Sequence, residues 1–356
     1  MLFKTLHKIK MVVIITTIFF ISRPLSAHSM LHNQSGIWVV RHNLYSKQAI
    51  DETISKIVEL GSKTIYLQVR GRGYSLYDSA LEPKSPNIKE DFDPLTYFIS
   101  RAKPYGLEIH AWINTYLLWT APDDPVSKLH VYHQHPDWFE RAIKKSPYYK
   151  TRNIYLSPHL TAVNDFLLSM IEELVSNYNL EGVHLDYVRY LDKYNGYHEK
   201  AVEQFYSIYA LPKENLADNK FWIDFRSLKV TGLVESVYDR IKAINPEVKL
   251  STAVKPNPQV ARKEFGQDWQ AWLGNGIVDY VVIMNYAKNH YDFIQNLNII
   301  NRACDSEKVY CGIALYNKNM DAIIDQIKSA KKLGFPNIVL FSYDSIIENN
   351  WLKKGG

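Results

Sequence analysis

The feature that most limits how this chain of 356 residues can fold is a repeated alternation of strand-like and helix-like segments. Short runs with apolar residues at every second position alternate with longer segments whose apolar residues recur every three or four positions. The predicted strands cover residues 36–41, 64–70, 107–114, 182–189, 248–254, 278–285, 309–315 and 337–343. Helical segments separate most of them, which is typical of parallel βαβ units.

The number of strands distinguishes between two α/β architectures. Eight strands favour a closed barrel over an open doubly wound sheet, and no Gly-rich phosphate-binding fingerprint follows the first strand. Local signals fit this reading: Ser46 is a good helix N-cap and Gly61 a good helix end, and Asp93-Pro94 opens a second helix. The sequence therefore predicts an α/β fold, a single (β/α)8 TIM barrel with elaborated loops after strands two, three, four and five.

The N-terminus has the pattern of a secretory signal peptide. Lys4, Lys8 and Lys10 precede an apolar run at 11–21, and a segment of small residues ends at Ala27. The run is shorter than the roughly 20 residues that a spanning helix needs. We therefore predict a signal peptide at 1–27, a barrel domain at 28–356, and a secreted or periplasmic protein with no stable membrane span after cleavage near Ala27. An uncleaved N-terminal anchor is the alternative.

The amino-acid composition excludes few classes of function. The net charge of +5 is mild and the basic residues are scattered, so no nucleic-acid partner is predicted, whereas an acidic polymer is permitted. The 25 tyrosines and 8 tryptophans suit a sugar-binding cleft, but they suit an aromatic core equally well. Cys304 and Cys311 are either bonded after export or two free thiols. Their spacing does not match a metal site, and we predict neither a metal nor a cofactor. The oligomeric state is not predicted.

The fourth strand contains the most informative polar residues. Active sites of such barrels lie at the C-terminal ends of the strands, and every second side chain faces the interior. His184 and Asp186 share one parity, whereas Val183 and Leu185 share the other and should pack outward. Because burying an unpaired carboxylate is costly, Asp186 is predicted to be catalytic. Alternatively, Asp186 forms an ion pair with Arg189 or Lys255, and His184 is a hydrogen-bonded core residue.

Polar and aromatic residues near the other strand ends complete a predicted mouth. Asp344 is the other carboxylate at a strand end, and it is either a second catalytic acid or the cap of a following helix. Two arginines of strand two, Arg70 and Arg72, either bind an acidic ligand or pair with nearby acids. Trp112 is either a sugar platform or core. The predicted substrate-binding residues are Gln68, Arg70, His110, Trp112, Asn114, His184, Arg189, Lys255, Asn285, Tyr286 and Tyr316.

Several segments together resemble the bacterial glycosyl-hydrolase-like family ten. The segments are 64–72, 107–114, His135-Pro-Asp-Trp138, Tyr155-Leu-Ser-Pro158, 180–190, 268–272 and 278–280. The resemblance runs from about Gly36 to Tyr343. It implies a (β/α)8 barrel, export to the envelope or beyond, and action on glycan polymers, with some members similar to envelope peptidoglycan-glycan hydrolases. By position, it implies that Asp186 is a catalytic carboxylate.

One departure from the family pattern concerns the partner of Asp186. Related sequences often have two consecutive acids at this point, whereas Tyr187 follows Asp186 here. Glycoside cleavage generally uses two carboxyl groups, one of which protonates the leaving oxygen. We therefore predict a glycoside hydrolase that acts on a bacterial polysaccharide, with Asp186 and Asp344 as its carboxylates. A non-catalytic glycan-binding barrel is the main alternative, and a metal-dependent hydrolase that joins His110, His184 and Asp186 is a third.

Overall fold

The computed structural model describes residue 31 and residues 34–149, 151–210 and 216–352. The predicted signal peptide at 1–27 lies outside these residues. The strands are β1 Gly36–Val39, β2 Thr64–Gly71, β3 Tyr74–Ser75, β4 Glu108–Asn114, β5 Leu117–Trp119, β6 Ile154–Tyr155, β7 Gly182–Asp186, β8 Lys249–Val254, β9 Tyr280–Met284, β10 Val309–Ala314 and β11 Ile338–Phe341.

The helices follow the same order. They are α1 Lys47–Leu60, α2 Pro94–Ala102, α3 Val131–Gln134, α4 Thr161–Asn177, α5 Glu199–Ile208, α6 Lys220–Ile244, α7 Pro258–Phe265, α8 Trp269–Gly274, α9 His290–Ala303, α10 Met320–Lys332 and α11 Tyr343–Glu348. Short 3-10 turns cover Arg41–Leu44, Lys103–Tyr105, Pro136–Trp138, Leu216–Asp218 and Ser306–Lys308.

Eight parallel strands form a closed barrel. The order around it is β1, β2, β4, β7, β8, β9, β10 and β11, and β1 pairs with both β2 and β11. The predicted TIM barrel is therefore confirmed. Three predicted strands are too long by two or three residues. The first, β1, ends at Val39 rather than Arg41, the fourth, β7, ends at Asp186 rather than Arg189, and the eighth, β11, ends at Phe341 because α11 begins at Tyr343.

Helix ends follow the predicted local chemistry. The Ser46 side chain accepts a hydrogen bond from the Ala49 N–H at the start of α1, and Gly61 ends this helix in the left-handed conformation. Asp93 caps α2 in the same way, with Pro94 in the first turn. Because these caps satisfy N–H groups that lack helical partners, each fixes where a helix begins.

The core has two shells separated by the barrel wall. Outward residues such as Val183 and Leu185 belong to a large aliphatic cluster beneath the helices. The inside of the barrel is aromatic, with Trp38, Tyr66, Trp112 and Tyr280 in one cluster. The alternation of side chains along each strand produces this division.

The long loops lie where they were predicted. The loop after β4 contains the β5–β6 hairpin, the loop after β7 contains α5, and the loop after β8 contains α7 and α8. Cys304 and Cys311 are both free thiols. Within the ranges described above, no helix is both long and apolar enough to cross a membrane.

Candidate active site

The strand register places Asp186 at the top of the barrel interior. Asn114 of β4 is its direct neighbour across the strand pair, and Trp112 lies opposite His184 one level below. Asp186 is the last residue of β7, and 8% of its surface is exposed. Its side chain therefore lies at the C-terminal mouth, where (β/α)8 enzymes have their active sites.

The immediate surroundings of Asp186 favour its neutral form. Burial raises the pKa of this carboxyl group, although Arg189, the Tyr187 N–H, Trp112 and Lys255 all act to lower it. Its Oδ1 accepts a hydrogen bond from the Tyr187 N–H at 2.7 Å. Burial has the larger effect, so the pKa of Asp186 lies above that of an ordinary aspartate, as a proton donor requires.

The residue after Asp186 has an unusual backbone. Tyr187 has a φ of 51°, in the left-handed region that bulky residues rarely adopt. This conformation turns the Tyr187 N–H toward the carboxylate of Asp186. Backbone conformations of this kind are concentrated at functional sites, because the surrounding structure must support their cost.

Two cations flank Asp186. The guanidinium of Arg189 lies 4.9 Å from the ring centre of Tyr187 and 5.5 Å from that of Phe265. Lys255 lies 5.0 Å from the ring centre of Phe265, and burial, together with Arg189, lowers its pKa to about 8. We call Trp112, Asp186, Arg189, Lys255 and Tyr286 the mouth cluster.

An aromatic wall extends the mouth cluster on the far side of the barrel. The ring of Phe341 stacks on Tyr286 at 5.4 Å and meets Trp112 edge-on at 6.4 Å. Tyr316 contacts both Tyr286 and Phe341 and is 59% exposed. Aromatic faces beside a carboxyl group provide the apolar and polar surfaces that a sugar ring needs.

His184 lies below the mouth rather than in it. It is fully buried, its Nε2 accepts a hydrogen bond from Trp38 Nε1 at 3.1 Å, and its Nδ1 lies 2.9 Å from Ser251 Oγ. Because an indole N–H only donates, His184 is neutral with its proton on Nδ1. Both nitrogens are therefore occupied, and the predicted contact of His184 with substrate is not supported.

His110 occupies a similar position. Its Nδ1 lies 3.2 Å from the Tyr280 hydroxyl, which in turn lies 3.0 Å from the Tyr66 hydroxyl. Burial lowers the pKa of His110 to about 3. A Cβ at Gly182 would come within 2.1 Å of this imidazole, so glycine is required there. We call Trp38, Tyr66, His110, His184, Ser251 and Tyr280 the histidine layer.

The placement of Arg70 contradicts its predicted role. A register shift between Gln68 and Arg70 breaks the strand alternation and pairs Arg70 with Ile113, a residue of the outer core. Both Nε and Nη2 of the Arg70 guanidinium bind the carboxylate of Glu82, and neither side chain is exposed. Arg70 therefore forms a structural ion pair, and Arg72 donates to Thr120 Oγ1.

Three further predicted residues are Asn285, Gln68 and Asn114. Asn285 and Gln68 bond to other parts of the fold, and Asn114 lies beside Asp186. Asn285 is fully buried and bonds to Phe293 O and Asn296 on α9, outside the barrel. Asn285 follows the last residue of β9, and its bonds to α9 hold its side chain away from the mouth. Gln68 accepts from Arg41 and donates to Asn114 Oδ1, which holds Asn114 in place next to Asp186.

Asp344 lies in the first turn of α11, where it contacts the loop that follows β1. Its carboxylate bonds to His42 at 2.7 Å and to Asn43 at 2.9 Å. Burial raises its pKa, but the hydrogen bonds from His42 and Asn43 outweigh this and keep the pKa below the ordinary value. The helix cap is Ser342 rather than Asp344. Asp344 is thus an ionised carboxylate bound to the first βα loop.

The third alternative, a metal-dependent hydrolase that joins His110, His184 and Asp186, is not supported by the geometry of the described residues. Across the part of the chain that the structure describes, no three His, Cys, Asp or Glu side chains converge as metal ligands. Both ring nitrogens of His184 are hydrogen-bonded, to Trp38 and Ser251, and His110 Nδ1 is hydrogen-bonded to Tyr280.

Four residues at the mouth were not predicted: Phe341, Tyr155, Tyr187 and Phe265. Phe341 shares the inward parity of Val339 on β11, so its position was readable, but the prediction considered only polar residues and their neighbours at that strand end. Tyr187 follows the end of β7, Tyr155 ends the short strand β6 and Phe265 ends α7, so alternation along the barrel strands gives no information on these three residues. The ring of Tyr155 meets that of Tyr187 at 6.3 Å.

Comparison with known proteins now identifies the family. The family model described as glycosyl hydrolase-like 10 matches residues 34–330. The chain belongs to this family. Its similarity to DigH of Escherichia coli strain K12, named a glycosyl hydrolase, is 24% identity over 87% of this chain and 70% of that protein. Its similarity to the glycosyl hydrolase YngK of Bacillus subtilis is 25% identity over 67% of this chain and 49% of YngK.

Solved structures of other proteins show the same fold. The glycoside hydrolase domain of PgaB from Bordetella bronchiseptica matches with a TM-score of 0.70 and 13% identity, over 90% of this chain and 96% of that domain. The catalytic domain of β-amylase from Paenibacillus polymyxa matches with a TM-score of 0.64 and 10% identity, over 90% and 95% of the two chains. At these identities the structures support the barrel fold alone.

Proposed function

We propose that this protein hydrolyses glycosidic bonds in a bacterial polysaccharide, such as peptidoglycan glycan strands or an exopolysaccharide, with Asp186 as the proton donor. The observation that carries the proposal is a buried carboxyl group of raised pKa at the barrel mouth, beside Trp112 and below an aromatic wall. Membership of the glycosyl hydrolase-like 10 family supports the reaction class. Export through the predicted signal peptide would bring the protein to envelope polysaccharides.

The neighbours of Asp186 suit a carboxyl group that donates a proton and later takes it back. Oδ1 already accepts the Tyr187 N–H, so the proton of the neutral acid resides on Oδ2. Donation of this proton to the glycosidic oxygen leaves a carboxylate, whose charge Arg189 and Lys255 then stabilise. Burial thus favours the acid before the bond breaks, and the two cations favour its conjugate base afterwards.

The second chemical role has no equally clear residue. Among the described residues, no hydrogen bond or ion pair joins Asp186 to another carboxyl group, and the charged side chains that lower its pKa are both cations. This observation favours the second candidate function, a barrel that binds glycans without cleaving them. Asp344 is ionised, as a base or nucleophile must be, but its contacts are with His42 and Asn43.

The two functions are separated by one experiment. Wild-type protein and Asp186→Asn are incubated with peptidoglycan glycan strands and with a panel of bacterial exopolysaccharides, and new reducing ends are measured. We expect at least about a 100-fold lower rate for Asp186→Asn, which is the usual contribution of a general acid. Asp165→Asn, on the exposed surface of α4, is the matched control and should keep the wild-type rate.

Two results would count against the proposal. An undiminished rate for Asp186→Asn removes Asp186 from the mechanism. Retention of a polysaccharide by the wild-type protein with no new reducing ends over long incubation supports the binding barrel instead.

A further inference from the structure

Apart from Tyr155, which lies at the mouth, two sequence motifs of the family resemblance lie outside the mouth cluster. They are His135-Pro-Asp-Trp138 and Tyr155-Leu-Ser-Pro158, in the long loop after β4. Asp137 and Trp138 from the first motif line a separate cavity of about 600 Å3, together with His159, which directly follows the second. None of the residues that line this cavity belongs to the mouth cluster.

We infer that this cavity, which we call the loop cavity, is a second carbohydrate-binding site that holds a segment of polysaccharide outside the mouth. Its volume lies within the range of small-molecule sites in proteins. The inference depends on the proposed function only for the choice of a polysaccharide as the ligand.

The walls of the loop cavity are tied together by one carboxylate. Glu140 Oε2 accepts a hydrogen bond from Ser157 Oγ at 2.7 Å. Its Oε1 accepts from the backbone N–H groups of Arg141, Gly196 and His198. Glu140 therefore joins the three chain segments that surround the cavity, which explains why a serine stands in the second motif. A cavity held in this way needs little rearrangement to accept a ligand.

A histidine fixes the position of Asp137 against α5. His198 caps α5, because its Nδ1 accepts a hydrogen bond from the Lys200 N–H. Its Nε2 consequently carries the proton and donates to Asp137 O at 2.9 Å. The turn that presents Asp137 and Trp138 is thus bonded directly to the helix across the cavity.

The surface of α5 that faces the cavity has the chemistry of a sugar site. Lys200, Glu203, Gln204 and Ser207 recur with helical spacing on one exposed face, while Ala201 and Phe205 are buried on the other. Ammonium, carboxylate, amide and hydroxyl groups all hydrogen-bond to sugar hydroxyls. With Asp137 included, the acids outnumber the lysine by one, so the lining does not resemble an anion site.

The opposite wall supplies an uncapped helix N-terminus and an aromatic surface. No side chain caps the N-terminus of α4, where Thr161 and Ala162 line the cavity. His159 is 8% exposed, and within the described ranges its Nδ1 has no hydrogen-bond partner. The partly exposed Trp138 ring stacks on His135 at 3.8 Å, which holds the indole in place beside these groups.

The loop cavity also lies next to the mouth through one hydrogen bond. His159 Nε2 is 2.8 Å from the hydroxyl of Tyr190, the residue that follows Arg189 of the mouth cluster. A polymer long enough to leave the mouth could therefore reach this cavity across the loop that carries Arg189. Such a site would retain a long glycan strand without contributing to bond cleavage.

The test measures where a glycan strand protects the protein. Full-length Asp186→Asn protein, which should bind without turnover, is mixed with peptidoglycan glycan strands, and amide hydrogen exchange is followed. We expect slower exchange at 135–140 and 199–208 as well as in the strand ends of the mouth. Protection of the mouth alone overturns the second site. Protection of the loop cavity alone supports it and counts against the proposed function, and protection of neither region contradicts both.

Two variants examine the loop cavity itself in the same background. Lys200→Ala/Gln204→Ala removes exposed side chains, and Ala162→Trp fills the cavity without removing a contact. We expect each to weaken binding of long glycan strands about tenfold, the first because hydrogen bonds that involve a charged group are lost and the second because the indole occupies the space of the ligand. Lys56→Ala/Gln48→Ala, on the exposed face of α1, changes the same residue types and should bind like the parent. Unchanged affinity in both cavity variants overturns the proposal.

Discussion

The histidine layer and the mouth cluster lie one above the other in the same barrel, and both consist of aromatic and ionisable side chains. In the histidine layer, Trp38, His184 and Ser251 form a chain of neutral hydrogen bonds. In the mouth cluster, a carboxyl group lies between two cations, and Arg189 Nε has no partner among the described residues. The six residues of the histidine layer are all buried, whereas Lys255 and Tyr286 of the mouth cluster are partly exposed. Among the described residues, the histidine layer leaves only His110 Nε2 without a hydrogen-bond partner.

This difference separates a structural from a functional use of buried polar groups. A satisfied neutral network stabilises the fold and gives a ligand nothing to bind. A charged group that burial disfavours costs stability, and such a cost persists where function requires it. We therefore expect substitutions in the histidine layer to change stability, and substitutions in the mouth cluster to change activity.

The largest expected effect on stability is that of His184→Phe. The phenyl ring leaves the Trp38 N–H and the Ser251 hydroxyl without their partner, at about 1–3 kcal/mol for each buried group. Denaturant unfolding should thus show a loss of about 2–5 kcal/mol in the free energy of unfolding. The folded fraction should keep the wild-type kcat. Ser251→Ala, which removes only one of the two hydrogen bonds, should lose less. A stable but inactive His184→Phe protein would erase the distinction between the two regions.

Asp186→Asn, in contrast, is expected to increase the stability of the folded protein at pH 7. Burial raises the pKa of Asp186 in the folded state above its unfolded value, so folding favours the protonated form. The stability contribution of Asp186 is therefore complete below the unfolded pKa and declines as pH rises through the folded pKa. Asparagine carries no charge, so the variant should melt at a higher temperature than wild type at pH 7. This gain should disappear below the ordinary aspartate pKa, near pH 4.

Thermal unfolding at several pH values checks this prediction. Asp165→Asn serves as its control, because this residue is exposed on α4. A lower melting temperature for Asp186→Asn at pH 7 would show that Asp186 is mainly a structural ion-pair partner of Arg189 and Lys255.

The sequence predicted the barrel well because periodicity and chain order determine it. Parity along β7 gives Asp186 and His184 the same inward direction, but it does not distinguish the mouth from the buried layer below it, where the structure has His184. Parity failed where the strand is irregular, since the register shift before Arg70 turns that residue toward Glu82. Side-chain alternation also predicts that Asn285 and Tyr286 face opposite sides, and yet both were predicted at the mouth.

Loop residues were beyond such reasoning. Tyr187 reaches Asp186 through a left-handed backbone, and Phe265 arrives from the end of α7. The loop cavity combines segments near residues 137, 159 and 203, which lie far apart in sequence. Hydrophobic periodicity gives no information on contacts between loops, because those contacts depend on specific hydrogen bonds such as those of Glu140.

The pH dependence of activity should show a smaller effect that depends specifically on Lys255 of the mouth cluster. Lys255 has a pKa of about 8, so it loses its charge as pH rises through that value, and the stabilisation of ionised Asp186 is lost with it. We expect activity to fall on this alkaline side. In Lys255→Met the step near pH 8 should vanish. The fall in activity that accompanies ionisation of Asp186 should also move to higher pH, because Lys255, a cation that lowers the pKa of Asp186, has been removed.

Lys318→Met is the matched control for this profile. Burial also lowers the pKa of Lys318 to about 8, but its ammonium donates to Ala314 O, and no contact with the mouth cluster is seen among the described residues. Rate measurements from pH 4 to 10 should give the wild-type curve for this variant. An identical shift in both lysine variants would show that the alkaline limb reflects general stability rather than Lys255.

The smallest expected effect lies at the edge of the mouth, where the contrast with the histidine layer is one of exposure. Tyr316 is 59% exposed, and its ring contacts those of Tyr286 and Phe341. Its loss in Tyr316→Ala should remove about 0.5–1.5 kcal/mol of aromatic contact with the sugar, a few-fold rise in KM. Neither kcat nor the melting temperature should change, because the ring is neither at the bond that breaks nor in the core. Tyr291→Ala is the control, since this tyrosine is 71% exposed on α9. If kcat fell with an unchanged KM, Tyr316 would act on the reaction itself, and the boundary of the mouth cluster would have to include it.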